Sequence, residues 1–170
     1  LPRPLTIADL LAENPVCTLS NLAIRAKVFR AIGGFDRAIV HNEDLDLLIR
    51  AIGEGYRVDG LDALLTWYRA SANGLSSDME AMLESRRRVL RTAARYGVAP
   101  TRADDAVYMR YLARRALRLQ APHTEAWAFA RSGLRAHPLR FLTPFKRGAA
   151  TAAAAAAVRC CPAAVHLLRS

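Results

Sequence analysis

Two glycines and a run of carboxylates fix the local geometry of residues 21–50 more tightly than any other feature of the chain. Gly33-Gly34 stops the short segment from Arg25 to Ile32, because glycine takes the left-handed conformation at little cost. Asn42 then stands where a helix N-cap belongs. Glu43-Asp44-Leu45-Asp46-Leu47-Leu48-Ile49-Arg50 reads as the helix it starts, running to Glu54 and closed by Gly55. Any fold built on this stretch must accept two short helices joined by a loop that delivers carboxylates to a first helical turn. Leu45, Leu48, Ile49 and Ile52 are spaced to face a core, which leaves Glu43, Asp46 and Arg50 nearer the edges. Asp46 and Arg50 lie four residues apart, the spacing of an ion pair on one helix face.

Around this stretch, the first 77 residues alternate helix and strand signals. Thr6 to Glu13 reads as a short amphipathic helix with Thr6 as its N-cap. Val16 to Ile24, Tyr56 to Leu61 and Ala63 to Arg69 read as strands from their β-branched, apolar and aromatic content. The expectation for residues 1–77 is therefore an α/β unit. From Ser77 onward the pattern is helical only. Asp78 to Tyr96 is one long helix closed by Gly97, Thr101 caps a second through about Leu119, and Thr124 to Ala136 forms a third ahead of Pro138. Residues 101–138 resemble a single tetratricopeptide-like hairpin, with Ala126, Ala130 and Leu134 before Pro138, although ordinary helix packing accounts for these residues equally well. The expected organisation is residues 1–77, then a helical segment 78–138, then a basic, alanine-rich helical tail over 139–170.

Charge divides along the same line. The chain has 170 residues and a net charge of +10, yet residues 1–77 hold eight Lys/Arg and nine Asp/Glu, a net of −1. The other 17 basic and six acidic residues lie in 78–170, a net of +11. An anionic neighbour is one reading of that imbalance. A solvated helix surface is favoured over a nucleic-acid partner, because no RNA- or DNA-binding motif accompanies the charge. In the tail, the uncharged run from Gly148 to Val158 falls short of the about 20 apolar residues a membrane-crossing helix needs. Flanking Arg147 and Arg159 allow peripheral contact at the inner membrane face, although a frayed or packed terminal helix is the favoured reading. Cys17, Cys160 and Cys161 show no zinc spacing and no disulfide framework, so a reducing, cytoplasmic setting is expected. The chain begins at Leu1 with no secretory signal pattern, and its start reads as a cut or processed end.

Glu43 and Asp44 are the first candidates for chemistry. The positive end of a helix dipole favours ionised carboxylates in the first turn by about 0.3–1 kcal/mol each. A carboxylate held there beside a cleft can take a proton from a hydroxyl, although acidic residues are common in first turns simply because they stabilise them.

The ordered set Ser20-Asn21-Leu22-Ala23-Ile24-Arg25, Ile32-Gly33-Gly34-Phe35-Asp36, Glu43-Asp44-Leu45-Asp46-Leu47, Arg50, Gly55-Tyr56, Tyr68-Arg69 and Leu75-Ser76 resembles family 2 glycosyltransferases of the GT-A fold over roughly residues 14–77. The resemblance implies the C-terminal half of a GT-A-like α/β domain followed by an all-α extension. It implies Asp44 as the general base of an inverting transfer, with Glu43 beside it in the motif. The donor would be a nucleotide-sugar and the acceptor a glycan or lipid-linked hydroxyl, as in cell-surface polysaccharide synthesis. Asn21, Arg25 and Arg69 would meet substrate, Arg69 by neutralising the diphosphate. A histidine found in relatives two residues after that arginine is Ser71 here. The family also uses a divalent metal, Mg2+ or Mn2+, held by an Asp-x-Asp motif that nothing in residues 1–20 supplies. The expectation is thus a fragment with acceptor side and base but no donor or metal site. Two competing readings are a non-catalytic helical interaction module centred on 78–138 and a basic nucleic-acid binder.

Overall fold

A computed structural model describes residues 4–61, 63, 65–67, 78–119 and 121–161. They fall into two compact units, Leu1–Ala99 and Pro100–Ser170.

The first unit holds two 3-10 turns, Ala8–Leu10 and Leu19–Asn21, and three helices, α1 (Ala26–Ala31), α2 (Glu43–Gly53) and α3 (Met79–Arg95). Gly33 and Gly34 end α1 with φ of 81° and 68°, the conformation glycine was expected to supply. The middle of α2 is buried on every side, from Asp44 through Ala51 apart from Arg50. Leu45, Leu48 and Ile49 pack with Leu5, Ile7, Leu10 and Leu11 on one side and with Val89 and Ala93 of α3 on the other. Each fully buried leucine or isoleucine contributes about 1.5–3 kcal/mol relative to exposure. At α3, Asp78 Oδ1 accepts from the Ala81 amide and Gly97, at φ 75°, closes the far end. The α2 N-cap is less regular. Asn42 is left-handed at φ 60° and makes no side-chain cap bond, its Nδ2 lying 3.5 Å from the Met82 carbonyl.

The second unit contains α4 (Arg102–Arg118), α5 (His123–Ala136), α6 (Pro138–Leu142) and α7 (Phe145–Cys160). Thr101 and Asp104 form a reciprocal capping box at α4. The helices approach closely through small residues, with Ala106, Ala113, Ala116, Ala126, Ala130 and Ala155 all buried. Buried Arg110 donates to the Arg140, Phe141 and Thr143 carbonyls, satisfying backbone groups that the short helix α6 leaves open at its end.

The α/β expectation is overturned, because the described residues contain helices and irregular backbone and no strand. Val16 to Ile24 bends through the Leu19–Asn21 turn. Tyr56 to Leu61 and the described part of Ala63 to Arg69 carry no ladder. Strand-like residues are not a strand until a neighbour takes their N–H and C=O groups. Leu22 is extended at φ −103°, ψ 126°, and Leu5 donates to the Val58 carbonyl at 2.8 Å, but no ladder is built on either. Trp67, within the expected Ala63 to Arg69 strand, is 96% exposed. The Thr6 reading also shortens: Thr6 N and Oγ1 both donate to Asp9 Oδ2, and the helix that follows is a single 3-10 turn.

Candidate functional site

Asp44 sits in the first turn of α2 and is 5% exposed. Its Oδ1 accepts from the following Leu45 amide at 2.8 Å, and its Oδ2 accepts from Asn14 Nδ2 at 2.7 Å. Asn14 is fixed in turn, because its Oδ1 accepts from the Val16 amide at 2.9 Å in an Asx turn. The Val16 carbonyl then accepts from Asn21 Nδ2 at 2.8 Å. A continuous polar path therefore runs from Asp44 through Asn14 and Val16 to Asn21.

That path ends on the wall of the larger cleft in the first unit, about 820 Å3 in volume. Asn21 and Arg25 line this cleft, together with Val16, Tyr56, Arg57 and Thr66. Asp44 and Glu43 are not on its wall. The candidate residues thus fall into two groups: Asn21 and Arg25 share the cleft, while Asp44 stands behind it with half-buried Glu43 beside it on α2. Arg69, with Tyr68 and Ser71, lies outside the described residues.

Asp46 is corrected most sharply. Helical spacing puts it near an edge of α2, yet it is 2% exposed. One carboxylate oxygen accepts from Arg50 Nε at 2.8 Å, the ion pair its spacing foretold, and the other accepts from Thr92 Oγ1 on α3 at 2.7 Å. The Arg50 guanidinium reaches on to the Ile32 and Gly34 carbonyls, tying the glycine loop to α2. This network is structural, since all of its partners are protein groups. Sequence reasoning missed Asn14. Its one signal was the Asn14-Pro15 pair, which marks a turn but names no partner.

Among the described residues no group of three or more His, Cys, Asp or Glu gathers to hold a metal ion. These residues do not fit the divalent-metal site that the resemblance implies. No helix among them is long and apolar enough to cross a membrane.

No protein-family model matches the chain, and neither does any curated protein or solved structure. With helices where the GT-A fold requires paired strands, these results overturn the likeness to family 2 glycosyltransferases read from the ordered motifs.

Proposed function

We propose that the Leu1–Ala99 unit supplies the acceptor side of a sugar-transfer site, with Asp44 as the proton acceptor. The donor in this reading is a nucleotide-sugar, and the acceptor is a glycan or lipid-linked hydroxyl. The acceptor oxygen bonds to the anomeric carbon, the carbon–oxygen bond to the diphosphate breaks, and the acceptor's proton passes to the Asp44 carboxylate. What supports the reading is that Asn21 and Arg25 share a cleft large enough for a sugar, and that hydrogen bonds through Asn14 and Val16 fix Asn21 relative to Asp44. The links of that path are amides and carry no proton, so the acceptor hydroxyl must itself come within hydrogen-bond reach of Asp44. Holding the hydroxyl in place must supply most of the acceleration.

Oligosaccharide binding and sugar transfer test this together. Ligand-observed NMR with an oligosaccharide panel should show binding that Arg25→Ala abolishes and Asp44→Asn retains. In this reading the chain has no donor or metal site of its own, so the 170 residues alone should transfer no sugar from a nucleotide-sugar with Mn2+ present, and robust turnover would refute the fragment reading. Absence of oligosaccharide binding, or its loss in Asp44→Asn, would overturn the proposal.

A second reading, a non-catalytic helical interaction module, is favoured by one feature of the Pro100–Ser170 unit. Leu139 and Phe145 are both 72% exposed, beside Arg140 and Lys146. Under that reading Asp44→Asn changes no function of the protein, whereas Leu139→Ser/Phe145→Ser removes its binding.

A further inference from the structure

A second cleft in the first unit, about 200 Å3 in volume, is walled by four arginines. Arg50 comes from α2, and Arg88, Arg91 and Arg95 come from α3. At 100° per residue those three project within an arc of about 60° on one helix face. Like charges at such spacings repel and destabilise a helix by a few tenths of a kcal/mol per pair. The favourable end of a helix dipole explains Arg95 in the last turn of α3 and Arg50 in the last turn of α2, but it reaches neither Arg88 nor Arg91.

The carboxylates in the cleft offset only part of this charge. Asp46 is paired with Arg50, which leaves Asp36, whose Oδ1 accepts from the Ala38 amide, facing Arg88, Arg91 and Arg95. Arg88 donates to the Ala38 carbonyl at 2.7 Å and lies 3.9 Å from Glu84, which leaves much of its fork available. Arg91 and Arg95 are exposed and make no ion pair with another described residue. Three guanidinium groups, those of Arg88, Arg91 and Arg95, therefore face one unpaired carboxylate in a space below the about 300–1,000 Å3 of sites that hold drug-sized molecules. Planar forks converging on a small pocket suit a compact oxyanion, because guanidinium pairs with phosphate oxygens through two parallel hydrogen bonds.

We infer that this cleft binds a phosphoryl or diphosphate group, with Arg91 and Arg95 as its principal partners and Arg88 behind them. The site is separate from the Asp44 path and stands whether or not sugar transfer is the chain's activity.

The test is titration calorimetry of the full chain with inorganic pyrophosphate at low ionic strength, beside co-sedimentation with phosphatidylcholine vesicles carrying phosphatidic acid. Saturable binding at one site is expected, weakening as salt rises. Arg91→Gln/Arg95→Gln should weaken it about tenfold or more, Arg91→Lys/Arg95→Lys should weaken it less, and Arg131→Gln on α5 should leave it unchanged. All three carry substitutions at exposed positions, and wild-type circular dichroism melts would confirm that they fold. Pyrophosphate binding that needs Arg91 and Arg95 identifies a free phosphate ligand. Vesicle binding with the same dependence identifies a lipid headgroup. If neither arm responds to loss of the two arginines, the proposal is overturned.

Discussion

The two units solve the same packing problem with different means. The Leu1–Ala99 unit has two short helices beside the longer α3 and, among its described residues, long irregular connections that buried polar side chains tie down. Arg50 holds the Ile32 and Gly34 carbonyls, Arg86 holds the Leu11 carbonyl, and Asp46 links α2 to Thr92 on α3. The Pro100–Ser170 unit has short connections and draws its helices together over alanines and glycines, with Arg110 as its main buried polar tie. Where backbone wanders, its carbonyls must find side-chain donors. Where helices follow one another directly, small residues and close approach suffice.

The largest way to break this comparison is Asp46→Ala. It leaves Arg50 mostly buried without its carboxylate and should cost about 3–5 kcal/mol, read as a lower denaturation midpoint. In the second unit the matching test is Gly148→Ala. A Cβ there would overlap the Leu142 backbone, so α6 or α7 must shift. Helix propensity alone favours alanine by about 0.8–1.0 kcal/mol, but the overlap should reverse the sign and destabilise by about 1–3 kcal/mol. If Asp46→Ala proved the milder of the two, polar ties would not be what holds the first unit.

The smallest effect sharpens the contrast at the end of α3. Tyr96 donates to Glu54 Oε1 at 3.0 Å, and its ring covers Gly53. Burial, and then the bond to Glu54, raises the phenol above its ordinary value of 10.0. The folded chain therefore keeps this proton to higher pH than the unfolded chain does. Stability from it is full below pH 10 and is lost as pH climbs through the raised folded value. Tyr96→Phe should cost no more than about 1 kcal/mol at neutral pH and flatten the alkaline decline, as followed by denaturation at stepped pH.

What was legible in the sequence was local. The glycine stop at Gly33-Gly34, the Thr101 cap and the Gly97 closure each depend on a few neighbouring residues, and each stands as read. The strands were not legible, because Val16 to Ile24 and Tyr56 to Leu61 have strand-like side chains without a backbone partner to complete them. The burial of Asp46 was hidden for a related reason. Its second partner, Thr92, lies 46 residues away, and helix periodicity on α2 cannot reveal that α3 covers its polar edge. Of the candidate site, the Asp46–Arg50 pair and the position of Asp44 in a first turn could be read directly. The Asn14 path and the four-arginine cleft could not, since both exist only after distant segments pack.

Trp67 and Trp127 are the chain's two tryptophans, one in each unit. Trp67 is already in water, whereas Trp127 is half-buried on α5. Intrinsic fluorescence on heating therefore follows the Pro100–Ser170 unit almost alone, while far-UV circular dichroism sums the helices of both. Coincident curves from the two probes would mean that the units melt as one cooperative body, and any gap between them would measure their independence.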